Sequence, residues 1–139
     1  MSSEKQPQET ALKEQDLQWI NQHLNIYQEM LAYYFDQPVE NKFDPKTIDD
    51  LFVVLLKEIE SGEVANEMVA NTIGCAMGHG LSKQLGFKWI IYTDEYGTEL
   101  AAKNDNNNWI AFPLNSVWKR IESKETGFVR SIFDSFGQI

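Results

Sequence analysis

In the first half of the chain, apolar residues recur at alternating steps of three and four, the spacing of a single helical face. The first such helix is predicted to begin with Asp16 as its cap and to end near Phe35, where two prolines and several charges follow. A second helix is predicted to start at Pro45, with Asp44 as its cap, and to stop at Gly62. The expected buried stripes are Leu17, Ile20, Leu24, Tyr27, Leu31 and Tyr34 in the first helix, and Ile48, Leu51, Phe52, Leu55, Leu56 and Ile59 in the second.

A third helix, predicted from Val64 to Leu85, has small residues at every fourth position: Ala70, Gly74, Gly78 and Ser82. The three glycines Gly74, Gly78 and Gly80 should together cost about 2 to 3 kcal/mol relative to alanine, so a compensating contact is needed. Close approach of a neighbouring backbone is the expected compensation. We predict that this glycine seam packs internally against the first or second helix, and the alternative is a groove for a partner or a small ligand.

In the second half, the pattern changes to short runs of aromatic and β-branched residues divided by turn residues, which is typical of strands. Strands are predicted over residues 87–93, 98–103 and 109–112, joined by short turns. Pro113 cannot continue the ladder, and helices are predicted from there to about Phe136. The predicted fold class is α+β, with N-terminal helices packed on a three-stranded antiparallel meander and with C-terminal helices.

Residues 1–12 are polar and without periodicity, which predicts a mobile tail. Residues 13–139 are predicted to form a single α+β domain, because a chain of 139 residues can bury roughly two thirds of its unfolded surface. The N-terminus lacks the apolar block of a secretory signal, and the longest apolar run, 51–56, is far short of the roughly 20 residues that span a bilayer. We therefore expect no membrane contact. The single cysteine, Cys75, cannot form an internal disulfide, so we expect a reducing, cytoplasmic location.

The net charge of the chain limits the classes of molecule that it is expected to bind. The formal net charge is -9, and residues 1–86 contain 14 acidic against 6 basic residues, whereas residues 87–139 contain 7 against 6. Phosphate backbones and anionic lipids repel such a surface, so nucleic-acid binding is disfavoured. A basic protein partner would be attracted and its encounter accelerated. Acidity that serves only solubility is the competing interpretation.

Three segments, GCAMGHGLSKQLGFKW, TDEYGTELAAK and FPLNSVWKRIES, resemble an uncharacterised bacterial family, the domain of unknown function 3806. The resemblance covers about residues 72–120. In that family a Gly-containing helix leads to a strand with a Trp, then to an acidic-to-Gly turn, and then to a Pro before a helix with a basic pair. The resemblance therefore implies this order of elements. It implies no activity, because the family has no established one.

Cys75 and His79 are four residues apart on the third helix, and a Cys–His pair is the minimum for thiolate catalysis. Both are predicted to lie opposite the glycine seam, toward solvent or a second layer. The sequence offers no recognisable oxyanion donor and no third, orienting residue. We therefore expect a protein that is not an enzyme, with a small thiol-dependent enzyme using this pair as the alternative.

No metal or cofactor site is predicted. Zinc needs several Cys or His ligands, and the chain has one cysteine and two histidines. The run DNNN that starts at Asp105 lacks the carboxylate spacing of a calcium loop, and GCAMGHG lacks the Lys and Ser or Thr of a phosphate loop.

The leading hypothesis is a cytoplasmic, acidic, non-enzymatic protein-binding module. Its most specific form is an immunity protein that neutralises a basic bacterial toxin by direct binding. Predicted partner-binding residues are Asp94, Glu95 and Tyr96 on the first sheet turn and Asp105 on the second. Trp89, Trp109 and Trp118 are expected to fill the core rather than to serve as exposed anchors. A small-ligand sensor that uses the glycine seam is a further alternative.

Overall fold

A computed structural model describes residues 6–137, which form five helices and a four-stranded sheet. The helices are α1 (Glu14–Tyr34), α2 (Pro45–Glu60), α3 (Asn66–Leu85), α4 (Pro113–Ser123) and α5 (Phe128–Gly137), and the strands are β1 (Gln8–Thr10), β2 (Lys88–Asp94), β3 (Gly97–Asn104) and β4 (Trp109–Ala111). The sheet is antiparallel throughout, in the order β1-β2-β3-β4. The predicted α+β class, with helices before and after an antiparallel sheet, is confirmed. Within this part of the chain, every helix is too short or too polar to cross a membrane.

The helix boundaries follow local sequence signals. Helix α2 starts at Pro45 with Asp44 as its N-cap, as predicted, and α3 ends where Gly86 takes a left-handed φ of +74°. Helix α1 starts earlier than predicted: its N-cap is Lys13, whereas the sequence pattern predicted Asp16. Asp16 lies in the first turn, where its carboxylate accepts a hydrogen bond of 2.9 Å from the backbone N–H of Lys13. The same residue therefore stabilises the start of the helix from inside it.

The sheet has four strands, so the prediction of three was wrong. The additional strand β1 lies within residues 1–12, the segment predicted to be a mobile tail, and it pairs with β2 through Gln8 to Thr93 and Thr10 to Ile91. All three residues of β1 are exposed, so backbone pairing rather than burial holds it against the sheet. An exposed strand of this length has no hydrophobic alternation for a sequence pattern to detect. Residues 1–5 of the predicted tail lie outside the described part of the chain.

The two faces of the sheet have different neighbours. Residues that pair side by side share a face, so Trp89 lies with Ala102 on the inner face, against α3, and Leu100 on the same face packs with buried side chains of α1. The opposite face, here called the outer face, has apolar residues that belong to neither of the two buried clusters: Ile90, Tyr92, Ala101, Ile110 and Phe112. Tyr92 and Phe112 contact each other edge to face, with ring centres 5.3 Å apart. The two buried clusters therefore lie on the inner face, although Ala101 on the outer face is also fully buried.

Helix α3 is the central element, buried on almost every side. A Cβ atom added to Gly74 would lie 2.8 Å from Leu114 Cα in α4, and one added to Gly78 would overlap the ring of Trp89 in β2. The glycine seam thus packs internally, but its partners are α4 and β2 and not the predicted first or second helix. The reason is that β2 and α4, which follow α3 in the chain, fold back against it. The spacing of residues within α3 does not specify which later element packs there.

Candidate protein-binding site

The turn between β2 and β3 places three of the predicted partner-binding residues together. Asp94 pairs with Gly97 across the turn, and Asp94 Oδ1 accepts a hydrogen bond of 2.9 Å from the backbone N–H of Tyr96. Gly97 has φ +134°, which favours glycine at that position. The turn presents Glu95 and Tyr96 to solvent, and the Tyr96 side chain is 89% exposed. Asp94 therefore shapes the turn, while its two neighbours form the accessible surface.

Asp105, the fourth predicted residue, lies at the opposite end of β3. The eight residues of β3 separate the two turns by roughly 23 Å at about 3.3 Å per residue. The Asp105 carboxylate also lies 3.8 Å from Lys88 Nζ, which offsets its charge. The structure thus brings Asp94, Glu95 and Tyr96 together and leaves Asp105 apart from them.

A cleft of about 260 Å³ lies beside this turn, between the start of α1, the inner face of the sheet and the start of α4. Its lining residues are Asp16, Trp19, Ile91, Thr98, Glu99, Leu100 and Leu114. Glu99 pairs with Tyr92, so its side chain lies on the outer face of the sheet. Sequence reasoning missed this cleft, because its residues come from four elements, α1, β2, β3 and α4. Glu99 was the nearest available signal, as an acid five residues after Asp94 on the same hairpin.

The Trp19 residue at this cleft contacts a neighbouring histidine through both its backbone and its ring. His23 Nδ1 donates a hydrogen bond of 2.9 Å to the Trp19 carbonyl, and the two ring centres are 4.1 Å apart. Trp19 also packs against the buried cluster of Ile20, Leu24 and Cys75. The indole therefore has a fixed position at the cleft.

The carboxylates of Asp94 and Glu99, near the β2–β3 turn, are close enough for their charges to interact. Burial raises the pKa of Glu99, with a further contribution from the negative charge of Asp94, while Lys119 acts in the opposite direction. Within residues 6–137, no basic group lies within 4 Å of Asp16, Asp94, Glu95 or Glu99. This end of the sheet is therefore negatively charged, and no ion pair with the described part of the chain neutralises it.

The tryptophans predicted to fill the core do pack inward. Trp109 and Trp118 contact the larger buried cluster, and Trp109 lies 5.3 Å from Phe136 of α5. Trp89 packs against α3. The exposed aromatic residue at the turn is Tyr96, so it is the anchor available to a partner.

Cys75 and His79 do not form a thiol site. The Cys75 side chain is 0% exposed, and burial raises the pKa of its thiol to about 12. Burial and then the charge of Lys83 lower the pKa of His79, so its imidazole is neutral at pH 7 and cannot stabilise a thiolate as a cation. The His79 ring instead packs against Phe43, with centres 4.4 Å apart. The predicted position of Cys75 toward a second layer is correct, and that layer is α1.

Two other candidate sites are less suited to binding a ligand or a basic partner. The glycine seam proposed as a ligand groove is filled by Leu114, the Trp89 ring and the Phe43 carbonyl. A larger cleft of about 530 Å³ between α1 and the loop after it is lined by one acid, Asp36, and one base, Lys42. Among residues 6–137, no three acidic, Cys or His side chains are grouped so that they could hold a metal ion. The turn and its adjacent cleft are therefore the candidate site.

Comparisons with known proteins agree with the architecture. The sequence model of a family described as "Domain of unknown function (DUF3806)" matches residues 52–133. A crystal structure from Bacteroides thetaiotaomicron VPI-5482 has a TM-score of 0.71 and 10% sequence identity, and the alignment covers 99% of this chain and 50% of that one. The chain thus spans about half the length of that protein, and at this identity the likeness shows the fold alone. No curated protein matches the chain.

Proposed function

Because the chain belongs to the DUF3806 family of domains of unknown function, as its resemblance over residues 72–120 predicted, we propose its function from its surface. It is a non-enzymatic protein-binding module whose partner is a basic protein. The partner contacts Glu95 and Tyr96 at the β2–β3 turn, with Asp94 holding the turn in shape. The most specific form of this proposal is a cytoplasmic immunity protein that neutralises a basic bacterial toxin by direct binding.

The observation that carries this proposal is an exposed tyrosine among carboxylates that have no ion-pair partner within residues 6–137. Tyrosine provides a large contact area and a polar tip at little conformational cost, and it is enriched among residues that dominate binding energy. Carboxylates at the rim of a contact mainly steer encounter and exclude partners of the same charge. The turn combines both roles within Glu95 and Tyr96.

The hairpin also supports binding because its shape is set before any partner arrives. The Asp94–Tyr96 hydrogen bond and the glycine at position 97 fix the turn, and the Thr93 and Thr98 hydroxyls bond across the hairpin at 2.9 Å. A preformed turn loses little conformational entropy on binding.

Affinity capture with the full chain tests the proposal, using lysate of the organism that encodes it. The wild type is compared with Glu95→Lys/Tyr96→Ala and with Asp105→Lys, a matched control that reverses an exposed charge at the other end of β3. We expect one basic protein to be retained by the wild type and by Asp105→Lys and to be lost with the turn variant. Equal retention by all three chains would argue against a site at this turn.

The purified partner then allows rates to be measured. Raising salt from 0.05 to 0.5 M should slow association about tenfold or more, because added ions screen the steering charges. Tyr96→Ala should mainly accelerate dissociation, since truncation removes buried contact area. An association rate that is independent of salt would contradict the basic-partner proposal.

A further inference from the structure

Strand β1 is attached to the edge of the sheet without burying a side chain. Gln8, Glu9 and Thr10 are all exposed, and these three residues make the whole of its pairing with β2. Backbone hydrogen bonds at an exposed edge are easily replaced by water, so an element with so little burial belongs to the least stable part of a fold. A side-chain contact that holds β1 therefore has a large influence on whether the strand is in place.

An ion pair connects β1 to β3. Lys103 Nζ donates a hydrogen bond of 2.6 Å to Glu9 Oε1, and within residues 6–137 this is the one side-chain hydrogen bond that β1 makes. The side chains of Lys103 and Glu9 are 19% and 34% exposed, so the pair is partly shielded from solvent. The bond to Glu9 raises the pKa of Lys103, so the lysine stays charged throughout the neutral range.

The strand register places this ion pair across the outer face of the sheet. Glu9 pairs with Tyr92 of β2, and Lys103 pairs with Lys88 of the same strand. Paired residues share a face, and alternate residues of a strand do too, so all four side chains lie on the outer face. The line from Glu9 to Lys103 crosses β2 at Ile90, midway between the two paired positions. The Lys103 side chain therefore reaches over the middle strand to bond to β1.

Ala101 is a second sign that the Lys103 side chain covers this face. Ala101 pairs with Ile90 and belongs to neither buried cluster, yet it is 0% exposed. Lys103 lies two residues further along β3 on the same face, so its aliphatic stem shields Ala101 together with the neighbouring apolar side chains. Long charged side chains commonly cover apolar surface in this way.

We propose that the Glu9–Lys103 ion pair is a latch that holds β1 on the sheet, and that β1 detaches when this pair opens. Detachment leaves the helices and the other three strands in place, because β1 contributes no side chain to either buried cluster. It uncovers the edge of β2 at residues 91–93, directly before the β2–β3 turn. An open edge presents unpaired N–H and C=O groups to another chain. The ion pair thus controls access to the sheet edge beside the candidate site.

Hydrogen exchange of backbone amides, followed by nuclear magnetic resonance on the isotope-labelled full chain, tests this inference. The probes are the amides of residues 8–10 and those amides of residues 91–93 that bond to β1, each corrected for its intrinsic rate. We expect Glu9→Gln and Lys103→Gln each to accelerate exchange at the probes by about two- to fivefold, the size of a partly exposed ion pair. The double variant should exchange no faster than either single variant, because both changes remove the same pair. Exchange in α3 should stay unchanged.

Glu99→Gln is the matched control. It removes a carboxylate from the same face of the sheet, but one that has no basic group within 4 Å among residues 6–137. This variant should leave exchange at the probes unchanged. Raising salt from about 0.05 M to about 1 M should accelerate exchange at the probes more in the wild type than in Glu9→Gln, because added ions screen the pair.

Four results would overturn the inference. These are unchanged exchange in Glu9→Gln, an equal acceleration in Glu99→Gln, an acceleration that extends to α3, and a double variant whose effect is the product of the single effects. None of them bears on whether a basic partner is captured through Glu95 and Tyr96, so the inference and the proposed function are tested separately.

Discussion

At the scale of single residues, Asp49 joins two helices that are far apart in the sequence. Its side chain is 2% exposed, and its carboxylate accepts hydrogen bonds from the backbone N–H groups of Val129 at 2.9 Å and Arg130 at 3.0 Å. The Arg130 guanidinium donates a further bond of 3.2 Å. These backbone groups lie in the first turn of α5, where N–H groups have no partner within the helix. A carboxylate from α2 therefore caps α5.

We expect Asp49→Asn to lower the free energy of unfolding by about 2–3 kcal/mol, because it weakens charge-assisted bonds to buried donors and leaves an amide hydrogen facing them. Urea denaturation measures this as a lower midpoint at an unchanged slope. The neighbouring Asp50→Asn is the control, since its exposed pair with Lys46 four residues away is worth no more than about 0.5 kcal/mol. Equal losses from the two variants would contradict the capping role.

Cys75 is the residue whose reactivity distinguishes a binding module from a thiol enzyme. With its pKa raised to about 12 by burial, the thiol is almost entirely protonated between pH 7 and 8. We expect iodoacetamide to label the folded chain at pH 8 at least about a hundredfold more slowly than the chain in denaturing urea. Rapid labelling of the folded chain below pH 8, measured by mass spectrometry, would restore the thiol-enzyme hypothesis.

At the scale of elements, α3 explains why three glycines are placed within one helix. The Trp89 ring from β2 and the Leu114 backbone from α4 approach α3 where a β-carbon would stand. A helix that is contacted on all sides needs small residues where its neighbours come closest. The intrinsic cost of glycine in a helix is thus compensated by close packing.

Substitution of Gly78 by alanine tests this explanation. A new Cβ would lie 2.0 Å from the Trp89 ring, so we expect a net loss of about 1–3 kcal/mol despite the gain in helix propensity. Gly137→Ala is the matched control, because its Cβ would meet only Leu85 Cδ2, at an ordinary 3.9 Å. Thermal unfolding should show no loss for the control, and a stabilised Gly78→Ala chain would refute the close-packing account.

At the scale of the whole molecule, the arrangement of ion pairs determines where negative charge remains. Among described residues, five basic residues from the nearly neutral segment 87–139 lie within 4 Å of a carboxylate: Lys88, Lys103, Arg120, Lys124 and Arg130. Glu95 and Glu99 from the same segment have no such neighbour within residues 6–137. Most of the net negative charge in the sequence lies in the helical half of the chain. The candidate acidic surface nevertheless lies mainly on the sheet.

Local sequence was sufficient to predict the helices and the β2–β3 turn. A proline in the first turn of α2, a left-handed glycine after α3 and an Asp–Gly turn act within a few residues, so their effects are encoded in short segments. The same local character made Glu95 and Tyr96 recognisable as a turn surface. The resemblance to the DUF3806 family also depended on these segments.

Tertiary structure decided what depends on residues far apart in the chain. The pairing of β1 with β2, the approach of α4 and Trp89 to the glycine seam, and the cleft between Asp16 and Glu99 all join segments separated by long loops or whole elements. Likewise, only the length of β3 shows that Asp105 lies far from the first turn. Hydrophobic period and turn chemistry determine each element, but the contacts between elements arise from packing that no single segment specifies.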